Sequence, residues 1–103
     1  MAGIDVSPQA GGYAVSGDLD MSSADRFEAF LKDALEPGAP VILDMRDVSF
    51  MDSTGIRVLI RALRDNPGGC LVLHAVRDEV WRVLEITRLC DMLPNLHAIP
   101  CSA

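Results

Sequence analysis

Short apolar runs alternate along the chain with longer stretches in which apolar residues return every three to four positions, and Gly and Pro fall between them. That rhythm predicts alternating strands and helices. Ile4 and Val6 alternate with polar neighbours, Gly11-Gly12 follows, and Tyr13-Ala14-Val15 resumes, so the opening reads as two short antiparallel strands around a tight glycine turn. After Gly17-Asp18-Leu19-Asp20, Ser22 stands as a helix cap with Asp25 three positions on. Phe27, Phe30, Leu31, Ala34 and Leu35 then share one helical face until Pro37-Gly38 stops it.

Val41-Ile42-Leu43 is an unbroken apolar run, the pattern of a strand covered on both faces, and it is the expected centre of the sheet. From Ser53 onward, Ile56, Leu59, Ile60 and Leu63 predict a second helix, ended by Asn66-Pro67-Gly68-Gly69. Leu71-Val72-Leu73 predicts another buried strand. Asp78 reads as the cap of a third helix carrying Val80, Val83, Leu84 and Thr87 on one face, and Leu96-His97-Ala98-Ile99 as a closing edge strand. Parallel neighbours joined through helices require right-handed crossovers. The expected fold is α/β: one domain over residues 1–103, with a mixed, mostly parallel sheet of four to five strands and three to four helices.

Composition narrows the function. With 103 residues, 50% of them hydrophobic, the chain has enough for one core and too little for two. Its net charge of −6 repels phosphate backbones and anionic lipid, which argues against nucleic-acid binding. No apolar stretch approaches the ~20 residues of a bilayer span, and the opening Met1-Ala2-Gly3-Ile4-Asp5 lacks the pattern of a secretory signal, so a cytoplasmic protein without membrane insertion is expected. Cys70, Cys90 and Cys101 are odd in number and lack CxxC spacing; they read as buried reduced thiols, Cys101 the least so because it is near the terminus.

No cofactor is implied. His74 and His97 lie in apolar strands without acidic or thiol groups at ligand spacing and read as structural histidines, while Trp81 and Tyr13 read as packing residues. Gly11-Gly12 and Gly68-Gly69 lack the context of a nucleotide-binding loop. The carboxylates Asp18, Asp20, Asp44 and Asp47 come with no nucleophile, base and orienting group in a recognisable set, which argues against an enzyme.

The most informative stretch runs from Val41 to Leu59, where Phe50-Met51-Asp52-Ser53-Thr54-Gly55 follows a strand and opens a helix. Together with the upstream Gly17-Asp18-Leu19-Asp20, it resembles the STAS family, the bacterial anti-sigma factor antagonists and their relatives, in order and spacing over nearly the whole chain. The resemblance implies a protein that binds an anti-sigma factor serine kinase of the histidine-kinase-like ATPase type and so releases a sigma factor. It implies phosphorylation by that partner of the serine after the aspartate, Ser53 in this chain, with a serine phosphatase to reset the switch. It also implies a contact surface made of Asp20, Asp52, Ser53, Thr54 and Gly55, to which Arg57, one turn along the helix, is added. The same family includes unmodified assembly subunits of lipid-transport and stress-signalling complexes, which is the alternative role; a small-nucleotide sensor is a weaker third.

Residue chemistry stands beside this likeness. A hydroxyl at a strand-to-helix turn faces outward, and the free N–H groups and positive dipole of a helix start accommodate a phosphate. Without the wider match, Ser53 or Asp52 is simply an N-cap contributing about 1 kcal/mol. Arg57, Arg61 and Arg64 recur at i, i+4 and i+7 as a basic stripe, and Arg57 departs from the small residue frequent in the family. Ile86-Thr87-Arg88-Leu89 stands where the family often has Thr-Gly-Leu; glycine would suit a left-handed helix end, and Arg88 argues against one.

Overall fold

Ile4–Gln9 (β1) and Gly12–Leu19 (β2) form the expected antiparallel hairpin, with Ile4 opposite Gly17 and Gln9 opposite Gly12, in a computed structural model that describes residues 3–101. Met1 and Ala2, on which part of the leader reading rests, lie outside the described residues, as do residues 102 and 103. Val41–Met51 (β3), Leu71–Val76 (β4) and Leu96–Pro100 (β5) continue the sheet in the order β1-β2-β3-β4-β5, and every pair after the hairpin is parallel. Between them run the helices Ala24–Ala34 (α1), Ser53–Asp65 (α2), Asp78–Thr87 (α3) and the single turn Leu89–Met92 (α4). The α/β class and the strand and helix numbers agree with the sequence reading.

The covering of the sheet does not agree. Each crossover steps one strand further in the same direction, and right-handed connections that never reverse put all their helices on one face. Val41 and Leu43 are accordingly buried under the helices, whereas Ile42 between them is 39% exposed. The run is central to the sheet but not covered on both faces. His74 and His97 occupy the same open face and are exposed, so neither is a packed structural histidine. The core on the other face joins Phe27 and Leu31 of α1, Leu59 and Leu63 of α2, and Val80 and Leu84 of α3 to Leu43, Met45, Leu71 and Leu73. Tyr13 packs edge-on against Phe30, with ring centroids 4.9 Å apart, and Trp81 is partly buried against the core.

Helix ends shift by one residue. The cap position of α1 belongs to Ser23, not Ser22, and that of α3 to Arg77, not Asp78; Asp78 and Glu79 instead fill the first turn of α3, where the helix dipole favours acids. Arg88 adopts the left-handed conformation (φ 53°, ψ 39°) that joins α3 to α4, despite its side chain. The thiols are free, but Cys70 and Cys90 are only partly buried and Cys101 is exposed, so the fully buried reading fails. Burial, and secondarily Asp91, pushes the Cys90 thiol up from its ordinary pKa. No helix among the described residues is long and apolar enough to cross a membrane.

Candidate functional site

Parallel pairing sets Leu19 beside Met51, so β2 and β3 end side by side and each releases the chain through an aspartate, Asp20 and Asp52. The Asp52 amide donates to the Leu19 carbonyl at 3.1 Å, joining the two loops. Upstream, Gly17 has φ +109°, and a Cβ there would lie 2.2 Å from the Gly3 carbonyl oxygen, so the glycine of the Gly17-Asp18-Leu19-Asp20 motif is required by the hairpin itself.

The Asp20 loop is held by its own polar groups. Oδ1 of Asp20 accepts from the Ser22 hydroxyl (2.6 Å) and the Ser22 amide (2.9 Å). These bonds, the Ser22 hydroxyl first, hold the Asp20 carboxyl below the usual carboxylate pKa. Ser22 thus orients an acid instead of capping a helix. Ser23 is buried, and its hydroxyl accepts from the Asp20 amide and donates to the Asp18 carbonyl, closing the turn.

At the start of α2, Asp52 is the cap: its Oδ1 accepts from the amides of Thr54 (2.8 Å) and Gly55 (3.4 Å), while the Ile56 amide donates to the Asp52 carbonyl at 3.2 Å. The amides of Thr54, Gly55 and Ile56 are therefore in use, which narrows the free N–H groups at this helix start to that of Ser53 itself among the described residues. Ser53 is exposed as the first residue of α2, and its hydroxyl makes no hydrogen bond among the described residues. Thr54 is half-buried. Gly55 is buried where a Cβ would approach the Leu19 carbonyl oxygen and the Met51 Cγ to 3.0 Å each, so its lack of a side chain lets the helix begin against the end of β2. Asp20, Asp52, Ser53, Thr54 and Gly55 thus converge on one corner.

The basic stripe divides. Arg61 reaches Glu28 of α1 at 3.2 Å and ties the two helices, whereas Arg57 is exposed and makes no ion pair among the described residues. Sequence reasoning missed two apolar residues beside the corner. Met21, at the crown of the Asp20 turn, is 81% exposed, and Phe50, paired with Asp18 on the open face, is 47% exposed. The signal was present: Met21 is apolar in an otherwise polar loop, and Phe50 falls on the uncovered side of the strand. A separate cleft of about 280 Å³, lined by Trp81, Leu84, Glu85, Arg88, Cys90 and Asp91, contains none of the corner residues.

The STAS domain family model matches residues 3–99. The anti-sigma-B factor antagonist of Bacillus subtilis (strain 168) is 32% identical over 81 residues, covering 77% of this chain and 74% of the relative. Among solved structures, an anti-sigma-factor antagonist (STAS) domain protein from Planctomyces limnophilus matches with a TM-score of 0.69 and 20% identity, over 97% of this chain and 91% of that one. The anti-sigma factor antagonist SpoIIAA in its unphosphorylated form matches with a TM-score of 0.65 and 20% identity, over 93% and 87% of the two chains. These two structures share the fold described above.

Proposed function

The chain belongs to the STAS domain family, and on that premise we propose that it is an anti-sigma factor antagonist whose Asp20–Ser53 corner docks a kinase-type anti-sigma factor and is switched off by phosphorylation of Ser53. The supporting observation is a division of labour at one helix start. Asp52 makes the capping bonds while the neighbouring Ser53 hydroxyl is exposed and unbonded, so Ser53 can change chemically without dismantling α2.

Magnitudes favour a change of surface over a change of fold. A phosphate adds ~1.5 to 2 negative charges, and near a helix start these act on the helix by only ~0.3 to 2 kcal/mol. A hundredfold loss of affinity requires about 2.7 kcal/mol. Like charges pressed together at an interface cost several kcal/mol, and Asp20 and Asp52 already make the corner acidic. Exclusion of the partner by charge and bulk follows. Met21 and Phe50 offer exposed apolar surface next to the corner loops, and the chain itself contributes only the acceptor oxygen; ATP and the transferring groups belong to the partner kinase, and a phosphatase resets the state.

Incubation with the cognate kinase-type anti-sigma factor and ATP, followed by mapping of the modified residue, tests this reading. Phosphate on Ser53, lost in Ser53→Ala, is expected. Modification elsewhere would overturn Ser53 as the switch, and no modification would favour the unmodified assembly-subunit role.

A further inference from the structure

We infer that Arg57 is an internal counter-ion for phosphorylated Ser53, folding the phosphate back along α2 into an ion pair within this chain. The inference rests on the proposed modification of Ser53 and adds what this chain does with the phosphate once it is present.

Three observations carry it. The amides of Thr54, Gly55 and Ile56 are already bonded to Asp52, so the helix start offers the phosphate no backbone donor beyond the single amide of Ser53. The acids at the corner, Asp20 and Asp52, repel it. Arg57 is a cation one turn along α2, exposed and without an ion pair among the described residues, while Arg61, one turn further, is engaged by Glu28.

Helix geometry supplies the reach. Residues four apart are neighbours on a helix surface, with Cβ atoms about 5–6 Å apart. Long side chains on a helix lean toward its N-terminus, which gives an arginine at position 57 the reach to a phosphate on Ser53. An anion with a cation four residues C-terminal to it is also the better orientation of such a pair. The guanidinium fork matches phosphate oxygens in a bidentate manner, which a lysine cannot reproduce. No bond forms or breaks in this step. The consequence is a modified form in which part of the added charge is neutralised internally and the remainder still faces the docking surface.

The test uses the full chain with phosphoserine installed at position 53 during synthesis, so its outcome is independent of whether any kinase modifies that residue. The phosphorus NMR signal is followed through the second ionisation of the phosphate, near pH 6, in the otherwise native chain and in Arg57→Gln and Arg57→Lys. Asp20 and Asp52 act alike in all three. The expected result is a proton affinity about threefold lower with arginine than with glutamine, and intermediate with lysine, as an ion pair favours the dianion. Equal midpoints in the arginine and glutamine forms would overturn the inference. Circular dichroism of the three unphosphorylated proteins checks that α2 is unchanged, as the exposure of Arg57 predicts.

Discussion

The amide of Asp52 lies 3.1 Å from the carbonyl oxygen of Leu19 and donates to it, so the end of β2 and the start of α2 are held as one corner. The consequence is mechanical. Asp20 and Ser53 are 33 positions apart in sequence, yet any change in how α2 seats on β2 alters both.

Gly55→Ala therefore disturbs two loops. A Cβ would press on the Leu19 carbonyl oxygen at 3.0 Å, on backbone that is itself bonded to Asp52. Overpacking of this kind costs ~1–3 kcal/mol, against about 1 kcal/mol gained in helix propensity. A net loss of about 1 kcal/mol is expected in urea denaturation, with shifted amide resonances at Asp20. A gain in stability would show that the contact is loose.

Asp52→Ala removes the bonds to the Thr54 and Gly55 amides and is expected to cost about 1 kcal/mol, in the usual range for loss of a cap. Asp52→Asn retains an acceptor oxygen and is expected to cost clearly less in the same denaturation experiment. Equal losses from the two substitutions would mean that charge, and not capping, accounts for the stability.

The sign of the Asp20 shift fixes a pH dependence. Its pKa is lowered in the folded protein, chiefly by the Ser22 hydroxyl, so the stabilisation is complete above the unfolded-state pKa and disappears as pH falls through the folded-state value. Carbon NMR of the Asp20 carboxyl should give a higher midpoint in Ser22→Ala than in the native chain, moving toward the ordinary carboxylate value. An unchanged midpoint would contradict the assignment of the shift to Ser22.

Arg88 occupies a left-handed conformation that disfavours any residue with a Cβ by ~1–2 kcal/mol. Arg88→Gly removes that strain and loses part of the gain to greater freedom of the unfolded chain. A net stabilisation of about 0.5–1 kcal/mol is expected from denaturant midpoints, and a destabilised variant would show that the Arg88 side chain makes compensating contacts.

Much of this architecture was legible because its signals are local. The apolar spacing of Phe27 and Leu31, and of Ile56, Leu59 and Leu63, marks helix faces directly, and Gly11-Gly12 marks the hairpin. The openness of one sheet face was not legible, since it depends on strand order, a long-range property that Val41-Ile42-Leu43 does not encode. The length of β3 was hidden for a related reason. Asp44, Arg46 and Asp47 interrupt the apolar run that marks the strand, but an uncovered face admits polar side chains within it. At the corner, the sequence marked Asp20, Asp52, Ser53 and Gly55 by pattern; the roles of Ser22, Ser23 and Met21 depend on a turn whose hydrogen bonds no periodicity reveals.

The most direct measurement is a calorimetric titration of the cognate kinase-type anti-sigma factor with this protein, once unmodified and once carrying phosphoserine at position 53. Tight binding of the first form and a loss of about a hundredfold or more in the second, with circular dichroism and melting temperature little changed, is the predicted result. Equal affinity of the two forms would contradict the proposal that charge on Ser53 decides docking.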